Sequence, residues 1–270
     1  MKIAKSLLSV CLLLFIGLFA APVGFAHNLW INAVDYNPEL RPRTGAQTKV
    51  YFGFGHRFPV QDFLDHKKLT AFKLVGPDGT SRELEAGEGG FLATALNFRK
   101  KGGYMATAAT AHGFYTMYVD QEGRLHHKLG SLEGLNNVVL SLYYENYTKA
   151  LINVGETDGD AFAKPVGHNM EIVALENPYL KQPGEELDLQ VLHKGQPARF
   201  CEVSATYVGF STKEDYAFSN KTDFKGRSTI RLLAPGQWIV RAVVRKPAEA
   251  AFRDKCLEEK YSATISFEVR

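Results

Sequence analysis

The stretch Ala263-Thr264-Ile265-Ser266-Phe267-Glu268-Val269 alternates apolar and polar residues without a break. Side chains of a β-strand point in turn to opposite faces, so this pattern predicts a strand with one core face and one wet face. The same period recurs upstream. Leu187, Leu189 and Val191 alternate with Asp188 and Gln190, and Val203, Ala205 and Tyr207 alternate with Ser204 and Thr206. Turn-forming residues separate the runs. Thr222-Asp223-Phe224-Lys225-Gly226-Arg227 is hairpin-like, and Pro235-Gly236 divides 228–233 from 238–244.

The first half is less regular but reads the same way. Apolar, β-branched and aromatic runs cover 48–54, 69–75, 113–119, 138–144 and 150–154. Gly76-Pro77-Asp78-Gly79 and Asp120-Gln121-Glu122-Gly123 close two of them as turns. Helix remains an alternative over 131–149, and 248–259 reads as a helical or irregular excursion. The sum predicts an all-β protein of two β-sandwich domains. A stretch without core-forming period, 155–167, marks the boundary. The expected domains are 27–165, β-rich, and 166–270, an immunoglobulin-like or transthyretin-like sandwich.

Residues 1–26 read as an address. Lys2 and Lys5 give a basic start, an apolar run follows from Leu7 to Ala20, and Gly24-Phe25-Ala26 places small residues before His27. This is the pattern of a secretory signal cleaved after Ala26. The alternative, an uncleaved anchor, has a short run for a span of about 20 residues. The expected location is the periplasm, with peripheral contact to the membrane at most. The formal charge of +3, less Lys2 and Lys5, leaves +1, which gives no electrostatic case for nucleic acid. Of 3 cysteines, Cys11 leaves with the signal. Cys201 and Cys256 are expected to form a disulfide in an oxidising compartment, with two separate buried thiols as the alternative.

Enzymatic motifs are missing from the sequence. There is no Gly-x-Ser-x-Gly elbow, Walker loop or His-Glu-x-x-His. Glu156-Thr157-Asp158-Gly159-Asp160 lacks the distal acid of a calcium loop. The chemistry lies with histidines. Cleavage after Ala26 would give His27 a free α-amine beside its imidazole, a two-nitrogen chelate from one residue. His56 follows Gly55 at a strand end and precedes Pro59 on a short loop; His168 sits at the domain junction, where clefts form. His112, before an aromatic strand, is a fourth candidate. His126 and His127 would face opposite ways, His66 lies beside Lys67 and Lys68, and His193 is expected to face solvent in a turn.

Several motifs together resemble one family. They are Ala26-His27-Asn28-Leu29-Trp30, Gly55-His56-Arg57-Phe58-Pro59, Lys149-Ala150-Leu151-Ile152-Asn153-Val154-Gly155 and Pro165-Val166-Gly167-His168. Glu171-Ile172-Val173 to Asn177-Pro178, and Ala205-Thr206-Tyr207 through Thr222-Asp223 to Gly226-Arg227, extend the likeness over nearly the whole mature chain. The family comprises exported bacterial proteins, largely uncharacterised in function. Its members are often described as an additional periplasmic component of energy-coupling-factor nickel or cobalt transporters. The resemblance implies a metal-binding protein rather than an enzyme, with His27, His56 and His168 as ligands. The implied cargo is Ni²⁺ or Co²⁺, and the implied partner is a membrane importer of that type. Cu²⁺ on the same histidine chelate, in a chaperone or an oxygenase-like protein, is the alternative. A non-metal interaction module on the same sandwich is a third reading.

Overall fold

The computed structural model describes residues 27–155 and 161–270. The expected signal segment and the acidic run 156–160 lie outside them. Among the described residues seventeen strands follow in order. The first half holds β1 (Asn28–Ala33), β2 (Ala46–Gly55), β3 (Leu69–Val75), β4 (Ser81–Glu83), β5 (Thr94–Phe98), β6 (Gly102–Thr110), β7 (Gly113–Val119), β8 (Leu125–Leu129) and β9 (Val138–Val154). The second holds β10 (Met170–Ala174), β11 (Glu186–His193), β12 (Gln196–Pro197), β13 (Glu202–Tyr207), β14 (Phe218–Lys221), β15 (Arg227–Arg231), β16 (Gly236–Pro247) and β17 (Glu258–Val269). Helix among the described residues is confined to short 3-10 turns. The all-β expectation therefore holds. The segment left open to helix, 131–149, runs into the 17-residue strand β9.

The two halves are fused through a common sheet. A ten-stranded sheet carries β14-β13-β16-β17-β9-β6-β3-β4, with β7 and β8 attached beside β9. The join is the parallel pair β17–β9, from Glu258↔Leu142 to Ser266↔Ala150. The expected separation at 165/166 falls in the connection between β9 and β10, while strands from both sides share this sheet.

A second sheet, β10-β11-β12 with β15, covers one face of the central sheet. Between them lies the larger core, including Trp238, Val240, Ile265, Phe267, Leu189 and Ile230. With the antiparallel strands β13, β14, β16 and β17 it makes an immunoglobulin-like sandwich. The three-stranded sheet β1-β2-β5 covers the other face. Leu29, Ile31, Phe52, Leu96, Phe72 and Ile152 form the core there.

This second cover overturns the wet-face expectation for the C-terminal strand. Thr264 and Ser266 are 2% and 0% exposed. Their hydroxyls face β1, the edge strand of the small sheet. Thr264 Oγ1 donates to the Leu29 carbonyl at 2.7 Å, and Ser266 Oγ donates to the Ile31 carbonyl. On β9, Thr148 Oγ1 accepts from the Ile31 N–H at 3.2 Å. An edge strand carries unpaired backbone groups that cannot be buried bare. Here hydroxyls from the face of another sheet satisfy them.

The expected disulfide is not formed. Cys201 and Cys256 are separate buried thiols. Strand register explains why. Glu202, next to Cys201, pairs with Val243, which pairs with Ser262. Glu258 to Ser262 is four strand steps, about 13 Å at roughly 3.3 Å per residue, and Cys256 lies beyond Glu258. A disulfide needs Cα atoms within about 7 Å. Burial instead pushes the Cys201 thiol up to about 12, and its sulfur donates to the Val243 carbonyl at 3.3 Å.

Candidate metal centre

β1 positions His27. It pairs antiparallel with β2 from Asn28↔Gly55 to Ala33↔Val50, so the residue before β1 meets the residue after β2. Those residues are His27 and His56. Their rings lie 4.9 Å apart between centroids, at 70°, and Phe54 packs edge-on against His27, also at 4.9 Å.

The loop carrying His56 is tied down at several points. Gln61 Oε1 accepts from the N–H groups of His56 (2.7 Å) and Arg57 (2.8 Å). The Pro59 carbonyl accepts from Trp30 Nε1 at 2.8 Å and Asn32 Nδ2 at 2.9 Å. The indole reaches that carbonyl by lying across Gly53, where a Cβ would sit 2.0 Å from Trp30 Nε1. At Gly55 the backbone takes φ +133°, a conformation open to glycine, and Gln61 fills the space beside it. Trp30 thus serves as a structural clamp.

Both imidazoles are held below the ordinary histidine pKa. For His27 burial is the main cause, opposed by the Asp62 carboxylate and assisted by Lys68 and Lys260. For His56 burial again leads, opposed by Glu214 and assisted by His27, Lys260 and Arg241. Lys260 is 3% exposed, and burial, then Arg241 and Arg245, press its ammonium down to about 7. At neutral pH both imidazoles are therefore neutral, the form that ligates a metal.

His168 is not brought to this pair. Strand alternation sends Thr148 toward β1, and Tyr147 and Lys149 to the opposite face of the sheet. The His168 ring lies 5.0 Å from the Tyr147 ring, on that far side. Burial, then the Lys149 charge, lowers its pKa to about 4. Nearby, Lys149 Nζ pairs with Glu171 Oε1 at 2.8 Å, both side chains being fully buried. Glu171 also accepts from the N–H groups of Val166 and Gly167 at 2.6 and 3.1 Å. The shared motif residues Lys149, Glu171, Val166 and Gly167 thus hold the connection between the sheets.

His112 takes an intermediate place. It borders the same cleft as His27, while its ring contacts Tyr143 at 5.7 Å. His126 and His127 do point opposite ways. His126 bonds Asp120 at 2.7 Å, and His127 meets the Tyr115 hydroxyl in the cleft. His193 departs from its expected solvent exposure: its ring packs on Tyr261 at 4.4 Å and its Nε2 is buried.

Among the described residues no three His, Cys, Asp or Glu side chains cluster as a metal site. The side chains supply two neighbouring imidazoles, His27 and His56. A third nitrogen would come from the α-amine of His27 in a chain beginning there. This donor set fits a borderline ion such as Ni²⁺, Co²⁺ or Cu²⁺ and leaves open positions. Sequence reading missed the cleft beside the pair, of about 570 Å³, whose walls include Lys68, Tyr115, His127, Tyr144 and Asn146. These residues come from the 3-10 turn before β3 and from β7, β8 and β9, segments distant in sequence.

The family description "Domain of unknown function (DUF4198)" matches residues 24–246. No curated protein matches the chain. Among solved structures the chain is similar to the D0-D1 domain of Intimin, at 14% identity and TM-score 0.23, covering 89% of this chain and 97% of that one. It is also similar to Clostridium thermocellum CbhA fibronectin(III)-like modules, at 8% identity and TM-score 0.20, covering 88% and 94%.

Proposed function

The chain belongs to the DUF4198 family, and within it we propose an exported, periplasmic protein that binds a transition-metal ion through His27 and His56. The supporting observation is the meeting of these two rings at 4.9 Å, at one end of the β1–β2 pair. With cleavage after Ala26, the α-amine and imidazole of His27 and the imidazole of His56 give three nitrogen ligands. The ion is cargo, Ni²⁺ or Co²⁺, passed to a membrane importer of the energy-coupling-factor type. The open coordination positions suit exchange. Nothing in this reading calls for catalysis.

One observation favours Cu²⁺ as a second reading. With His168 on the far face, the ligands reduce to a single-residue chelate and one imidazole, and Cu²⁺ takes tetragonal nitrogen sites of this kind tightly.

Calorimetric titration of the chain beginning at His27 with Ni²⁺, Co²⁺, Cu²⁺ and Zn²⁺ tests both. A control with one extra residue before His27 blocks the chelate. One-to-one nickel or cobalt binding, lost in the control and in His56→Ala, supports the transport reading. A copper preference beyond the usual affinity order supports the second. Binding weaker than about millimolar for every ion, roughly −4 kcal/mol, removes both and leaves an interaction module. Affinity should fall as pH drops toward 5, because protonated imidazole cannot ligate.

A further inference from the structure

The cleft beside His27 is larger than a metal ion requires. It measures about 570 Å³. Six waters around an ion take about 180 Å³ at roughly 30 Å³ each, whereas small-molecule sites run from about 300 to 1,000 Å³. Its walls carry His27, His112, His127, Thr110 and Asn146 beside a larger apolar surface. Phe54, Tyr115, Tyr144 and Leu129 present rings and an aliphatic surface, and no carboxylate lines it among the described residues. Leu129 is 79% exposed, so an apolar side chain stands open to water at the rim. Lys68 brings the one ammonium group among the lining residues, and its Nζ sits 5.3 Å above the Phe54 ring. The same Phe54 ring packs on His27.

A metal held by His27 and His56 would therefore sit beside a largely apolar cleft that His27 borders, with Lys68 as the one lysine or arginine in its walls among the described residues. We propose that the cleft receives an organic monocarboxylate with an apolar body, bound together with the metal. Its carboxylate meets Lys68, its body lies among Tyr115, Tyr144 and Leu129, and a donor atom fills an open position on the ion. This rests on the metal reading above, and it makes the cargo a metal–chelator complex.

The probe is picolinate, a flat aromatic monocarboxylate that also ligates through its ring nitrogen. Calorimetry on the chain beginning at His27 compares Ni²⁺ alone, picolinate alone and their one-to-one complex. The complex should bind at least tenfold tighter than Ni²⁺ alone. Ala111→Trp, which narrows the cleft at a residue outside the proposed ligand set, should bind Ni²⁺ alone as the parent does and lose that gain. Lys68→Gln should cut the gain severalfold. If Ala111→Trp lowers the melting temperature, Leu129→Trp at the exposed rim takes its place. Equal affinity with and without picolinate, loss of nickel to picolinate, or a gain that survives the blocking variant overturns the proposal while leaving the metal reading intact. Binding of picolinate but not of Ni²⁺ overturns the metal reading and joint capture with it.

Discussion

The two faces of β17 carry similar sequence alternation and very different packing. On one face Ala263, Ile265 and Phe267 join the large apolar core under the β10–β11–β15 sheet. On the other, Thr264 and Ser266 are just as buried, yet they hold β1 by hydrogen bonds to its backbone. Apolar packing is non-directional and tolerates small shifts. Hydroxyl-to-carbonyl bonds depend on distance and angle, and fix an edge strand in one place. The first face holds the molecule together; the second positions the strand that presents His27.

The largest effect should come from the apolar face and its buried ion pair. Trp238→Ala is expected to cost about 3–5 kcal/mol in denaturant unfolding, since Trp238 is fully buried in that core. Glu171→Ala should cost a similar amount, about 3–5 kcal/mol, by leaving Lys149 charged and buried. The double variant Lys149→Met, Glu171→Leu should regain much of it; failure to do so would show that the bonds to Val166 and Gly167 matter more than the charges.

On the hydroxyl face Thr264→Val should cost less, about 1–3 kcal/mol, by leaving the Leu29 carbonyl unsatisfied. It should also weaken metal binding severalfold without touching a ligand. A stability loss with unchanged affinity would mean that β1 needs no such anchor. Acid sharpens the contrast from the far side. Unfolded His168 takes a proton near 6.5 and the folded residue only near about 4. Protonation therefore favours unfolding, and the contribution present above pH 6.5 is lost as pH falls toward 4. It should amount to about 3 kcal/mol at most, and His168→Gln should flatten that part of the stability–pH curve. The smallest effect belongs to the thiols. With Cys201 and Cys256 unbridged, a reductant should leave the melting temperature unchanged.

Much of the fold was legible in local pattern. The runs at 69–75 and 113–119 are β3 and β7 within their observed bounds. The alternation at Leu187, Val203 and Ala263 marks β11, β13 and β17. What misled was polarity. Thr264 and Ser266 read as wet because a single strand's sequence does not reveal that another sheet will cover it. The site was half legible. His27 and His56 stand in recognisable surroundings, with Gly55 and Pro59 marking the loop. His168 stands in an equally recognisable one, yet lies across the sheet.

The sequence by itself determined the strands, the turns between them and which histidines sit at strand ends, because these follow from side-chain period and backbone preference within a few residues. Only the tertiary structure decided that β9 and β17 pair in parallel, that the polar face of β17 receives β1, and that His27 meets His56 but not His168. Those outcomes depend on strand register and on which face of a sheet each partner covers. A shift of one residue reverses the face a side chain takes, and no local stretch of this chain records it.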